Sequence, residues 1–169
     1  MTTRRHTIRD GIAVGLIGYA AVALFYSAFD LLAARGAWYT VNMLGQAVFR
    51  GLRDPAILQF PISLDTRAIF AYNTLHLILA LVIGLIVAAL VAVAERVPRE
   101  RQLIRSIIVA GFVVTVIVVG RLTNSVRPVL PWWSIVIANA LAAILAGAYL
   151  IRLHRGLWRR LALAQGLSS

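Results

Sequence analysis

The sequence predicts an all-α protein: a polytopic four-helix transmembrane bundle with an interfacial helix in its first outer loop. Three observations lead there. Residues 11–34, 68–94, 106–120 and 128–151 are apolar segments that contain one formally charged residue among them, Asp30. Each segment has an arginine within two residues of either end. The chain as a whole is 61% hydrophobic with a mean hydropathy of +0.86, which leaves no room for a large aqueous domain. A helix of ~20 residues rising ~1.5 Å each crosses a ~30 Å hydrocarbon core. Three segments reach that length. The third is 15 residues between Arg105 and Arg121, and spans if both arginines snorkel to the headgroups. The expected organisation is a single membrane domain over 1–169. Its spans fall at 11–34, 68–94, 103–122 and 131–151, with an outer loop over 35–67 and a basic tail over 152–169.

The first span carries Gly11, Gly15 and Gly18 in one half, a small-residue surface that lets helices approach closely. In its other half Tyr19, Ala23, Tyr26, Ser27 and Asp30 fall on one stripe, at about 100° per residue. That stripe should face protein or water, because lipid leaves polar groups unpaired. The 33-residue loop from Arg35 to Arg67 is long for a bundle connection. Thr40 is placed to cap a short helix running to Leu52. Val41, Leu44, Val48 and Leu52 form its apolar stripe, with Asn42, Gln46 and Arg50 elsewhere. Such a helix lies in the outer interface or folds onto the bundle. Pro55 and Pro61 favour an extended return.

The second span has the sharpest pattern. Ala80, Gly84, Ala88 and Ala92 stand four apart, with His76 and Tyr72 continuing the row outward. That face is expected against another helix, with Gly84 at its centre. The third span is β-branched almost throughout, yet an open strand cannot satisfy its backbone in lipid, so a helix is expected. The fourth begins at Pro131, a favourable first-turn position, and offers Ala143 and Gly147 for packing.

Arginine sets the orientation. Eleven arginines lie in the two tails and the link between the second and third spans, against six in the other two loops. The excess belongs in the cytoplasm, so both termini are expected inside, at a bacterial inner membrane. Trp38, Tyr39, Trp132 and Trp133 then fall at the outer interface. The first helix is too long for a signal-peptide core and lacks a convincing cleavage site, so it is read as retained. The net charge of +11, carried entirely by arginine on the basic side, sits beside apolar spans. It points to anionic lipids and not to nucleic acid. The absence of cysteine excludes disulfides, thiolate metal sites and iron–sulfur clusters.

By this topology Asp30, Asn73, His76, Arg121, Asn124 and Asn139 share one outer polar layer. Intramembrane ionisable groups are functional candidates as a class, and equally serve as structural ties between helices. Asp30 is expected to pair with Arg121 or Arg35 first and His76 second, and His76 to bond Asn139. As an imidazole, His76 is also the one candidate axial ligand to haem or chlorophyll in the layer. No cofactor is expected: a single intramembrane histidine cannot supply two axial ligands to a b-type haem within one chain, and the small-residue row that leaves room for a flat macrocycle equally takes a helix. No zinc spacing, phosphate-binding glycine loop or nucleophilic triad is present, so the chain is read as non-enzymatic.

Around Asp30, Leu44-Gly45 and His76 the chain resembles small uncharacterised four-helix membrane proteins of GC-rich bacteria. The resemblance covers roughly residues 11–92 and implies the fold without an activity. The expected role is a non-catalytic accessory or structural subunit of a larger bacterial membrane complex, an energy-transducing one, respiratory or photosynthetic. Its partners would be other integral membrane subunits. The alternatives are a small transporter or channel, and a lipid, haem or pigment binder using the outer layer.

Overall fold

A computed structural model describes residues 2–52, 54, 56–97, 101–122 and 128–153. Among them are five helices and no strand: α1 (Thr2–Leu32), α2 (Tyr39–Phe49), α3 (Thr66–Arg96), α4 (Arg101–Leu122) and α5 (Trp132–Leu153). Three helical stretches, His6–Leu32, Thr66–Arg96 and Trp132–Leu153, are long and apolar enough to cross a membrane. Large apolar side chains stay exposed along all of them, for example Leu24, Phe70 and Ile144. A surface of that kind suits a hydrocarbon solvent.

α1 starts well before the apolar segment, because the backbone ladder continues through polar residues once a helix is under way. It stops at Leu32, short of the sequence estimate. Ala34 turns into the left-handed region with φ 55°. Its N–H bonds the Leu31 carbonyl at 3.0 Å, and the Arg35 N–H bonds the Asp30 carbonyl at 2.9 Å. This is a Schellman ending with alanine where glycine is usual.

α1 and α3 make the main contact, and α5 packs against α1. Glycine makes the first contact possible. A Cβ at Gly84 would collide with the Gly11 carbonyl and stand 2.5 Å from the Gly15 amide nitrogen. Conversely, a Cβ at Gly11 would be 2.7 Å from the Leu85 Cα, and one at Gly15 2.7 Å from the Leu81 Cα. The two backbones touch, as small-residue interfaces in lipid require. Ala88 is buried along the same row, with Ala80 and Ala92 half-buried. The expected surface does not extend to Gly18 or Gly147, where a Cβ would meet nothing within 4 Å, and Ala143 is exposed.

α4 is helical throughout despite its β-branched residues. Ile108 packs on a cluster of Val14, Val91 and Leu150 at one end of the bundle. Val119 packs at the other end, on a cluster that includes Tyr39, Met43, Leu58, Leu130 and Ile135. α4 therefore runs the length of the bundle, antiparallel to α3, with lighter contacts than α1 makes with α3 and α5.

α2 is folded onto the bundle end opposite the chain's N-terminus, against α3 and α1. Its orientation corrects the sequence reading. Asn42 and Gln46 are buried and Val48 is exposed. The Asn42 amide donates to the Ser63 carbonyl at 3.0 Å and its Oδ1 accepts from the Asp65 N–H at 2.9 Å. Gln46 Nε2 donates to the same Ser63 carbonyl at 2.8 Å. Asp65 in turn caps α3 through the Ala68 N–H at 3.0 Å and accepts from Arg50 Nε at 2.8 Å. Gly45 completes the latch: a Cβ there would be 2.5 Å from the Ala68 carbonyl oxygen. Two buried amides thus fix the loop that leads into α3.

Candidate functional site

Beneath α2 lies a cavity of about 200 Å³, walled by α1, α3 and α5 and touched by Val119 of α4. α1 contributes Ala23, Tyr26, Ser27 and Asp30, a helical stripe at i, i+3, i+4 and i+7. α3 contributes Tyr72, Asn73 and His76, and α5 contributes Asn139. Four residues expected in one polar layer, Asp30, Asn73, His76 and Asn139, therefore line one space. Arg121 does not join them. It is exposed and faces a separate groove between α4 and α5, beside Gly120 and Trp132. Asn124 lies outside the described residues.

Asp30 is 1% exposed, and its partner is not the arginine expected. Oδ2 accepts from the Thr40 N–H and Oδ1 from the Thr40 hydroxyl, both at 2.7 Å. The reason lies at the start of α2. Its N-cap position is Trp38, which supplies no side-chain acceptor. The first amides of a helix need acceptors, and Asp30 provides one from another helix. Thr40 is thus capped where the sequence had it capping. Arg35 is used otherwise. Its guanidinium carbon sits 5.7 Å from the Phe29 ring centroid and 5.2 Å from that of Tyr39, and Nη1 donates to the Val129 carbonyl at 3.4 Å. Burial pushes the Tyr39 phenol above its ordinary range, and its hydroxyl donates to the Leu58 carbonyl at 2.7 Å.

The amides are tied as well. Asn73 accepts from the Tyr19 hydroxyl at 3.0 Å and donates to the Ile69 carbonyl at 3.0 Å. Asn139 donates to the Ile135 carbonyl of its own helix at 2.8 Å, and not to His76. His76 instead sits between the Tyr19 and Tyr72 rings, with centroids at 5.2 and 6.3 Å. Among the described residues, no protein group hydrogen-bonds the His76 ring nitrogens, the Tyr72 hydroxyl or the Ser27 hydroxyl.

No protein-family profile, curated protein or solved structure matches the chain. The site's chemistry is therefore read from its own geometry. Among the described residues no three His, Asp or Glu side chains gather as a metal site would need. Pockets for drug-sized ligands run to ~300–1,000 Å³. The space here, about 200 Å³, is smaller than that. Sequence reasoning placed the α1 stripe and the α3 polar cluster. It missed Thr40 as the partner of Asp30, which only the fold of the loop brings near.

Proposed function

We propose that the protein is a non-catalytic integral membrane subunit that packs against other membrane subunits of a larger bacterial complex. An energy-transducing complex, respiratory or photosynthetic, is the first setting to test. The observation that carries this reading is the set of small-residue positions left bare. A Cβ at Gly18, Gly111 or Gly147 would meet nothing within 4 Å, although the same residue type brings α1 and α3 into backbone contact. In lipid such positions gain only when another helix arrives. The buried polar groups support the same reading: Asp30, Asn73 and Asn139 are spent on hydrogen bonds that hold the chain together.

In this reading α4 is a fourth crossing. It joins the two ends of the bundle, and 22 residues extend about 33 Å at ~1.5 Å each. Both termini are then cytoplasmic, as the arginine distribution favours, and α2 lies at the outer interface. The test uses single cysteines, since the chain has none of its own. A photo-crosslinker at position 147 or 143 in native membranes should join another integral polypeptide, whereas one at position 23, which faces the cavity inside the bundle, should not. If positions 147 and 143 crosslink nothing, or only a second copy of this chain, the subunit reading is wrong.

A further inference from the structure

We infer that the cavity under α2 is a binding site for a neutral, lipid-soluble six-membered ring bearing carbonyl or hydroxyl oxygens, the quinone and quinol class. Size is the first argument. A cavity of ~150 Å³ takes benzene, so about 200 Å³ takes one ring with small substituents. Flatness is the second. Tyr26, Tyr72 and His76 line the space, and aromatic rings favour a planar guest.

The third argument is the set of hydrogen-bonding groups without protein partners. The Tyr72 and Ser27 hydroxyls and the His76 imidazole line the cavity, and none is bonded by a described residue. A hydroxyl donates and accepts, and a neutral imidazole has one donor and one acceptor nitrogen. These groups match a ring carbonyl, which accepts, or a ring hydroxyl, which does both. The one carboxylate on the wall already accepts two hydrogen bonds from Thr40, so the site offers no free charge for an ionic guest. Access is the fourth. Trp38, Leu75 and Leu79 line the cavity and are exposed, so its apolar rim is open to the side where a hydrophobic tail would lie. The site does not depend on the subunit reading: it is built from this chain alone.

The test is a calorimetric titration of the full chain in mild detergent with a decyl-substituted benzoquinone, its quinol, and a decyl chain without the ring. Saturable binding at one site per chain is expected for the two ring compounds only. Tyr72→Phe, which removes a hydroxyl and keeps the ring, should weaken it about five- to tenfold, the loss of one hydrogen bond. Ser27→Ala should weaken one or both ring compounds by a similar factor. Ala23→Leu should abolish binding by filling the space, while Gly147→Ala leaves it unchanged. Non-saturating heats equal to those of empty micelles would overturn the proposal. Equal binding of the ring-free chain would overturn it too, as would a Tyr72→Phe, Ser27→Ala double variant that binds like the parent.

Discussion

Replacing Gly84 by alanine adds one carbon at the tightest point of the bundle. That carbon would strike the Gly11 carbonyl and lie 2.5 Å from the Gly15 nitrogen and 2.8 Å from its Cα. All three neighbours are backbone, so no side chain can rotate away and the helices must part. Overpacking a close contact costs ~1–3 kcal/mol, and a rigid backbone neighbour puts this site near the upper figure. Alanine returns up to ~1 kcal/mol of helix propensity over glycine. The expected net loss is about 2 kcal/mol. Gly147→Ala carries the same propensity gain with no clash, since a Cβ there meets nothing within 4 Å. It should be neutral or up to ~1 kcal/mol stabilising in the isolated chain. The assay is reversible unfolding in mixed detergent micelles, followed by far-ultraviolet circular dichroism. If Gly84→Ala is as stable as Gly147→Ala, α1 and α3 do not meet through Gly11, Gly15 and Gly84.

Thr40→Val keeps the amide that Asp30 accepts from but removes the hydroxyl, leaving one buried carboxylate oxygen without its 2.7 Å partner. A loss of about 1–3 kcal/mol is expected in the same unfolding assay, with no loss meaning that water replaces the hydroxyl. Ala34→Gly should stabilise the chain by up to ~1–2 kcal/mol, because Ala34 holds a left-handed conformation that a side chain disfavours; a destabilised variant would show that α1 ends differently. Stability should also fall in acid. The Arg50 guanidinium and the Ala68 N–H hold the Asp65 carboxyl below its ordinary range. A group with a depressed folded-state pKa stabilises above its unfolded value of about 3.9 and loses that contribution as pH drops through the lower, folded one. Hydrogen exchange at the start of α3 should therefore be flat from neutral pH to about 5 after correction for the intrinsic rate. It should rise below about 4. Asp65→Asn should be raised already at neutral pH and lack the acid step.

Much of the long-range order is visible in periodicity. The row through Gly84 and Ala88 meets α1, and the stripe from Ala23 to Asp30 lines the cavity. Those patterns are legible because a helix buried on one side must repeat its packing surface every three or four residues. The β-branched run of α4 is helical because backbone satisfaction outweighs propensity where no partner strand exists. α2 was the hard case. Its amphipathicity reads as apolar-in, but Asn42 and Gln46 turn inward to bond Ser63 and Asp65. Those acceptors and donors are backbone groups of a loop, and no side-chain pattern records them. The pairing of Asp30 with Thr40 is hidden for a similar reason. Complementary charge suggests an arginine, whereas the unfilled need is at the amide end of α2. Gly18 and Gly147 look like their packed counterparts in sequence; only the structure shows them bare.

The subunit reading is tested most directly by the composition of the particle extracted from native membranes in a mild detergent, measured by native mass spectrometry. The expected result is a complex well above the 18.5 kDa chain, containing other integral polypeptides in fixed ratio and losing them when Gly147 is replaced by leucine. The chain recovered alone or as a self-assembly, conducting ions or protons when reconstituted in liposomes, would contradict it.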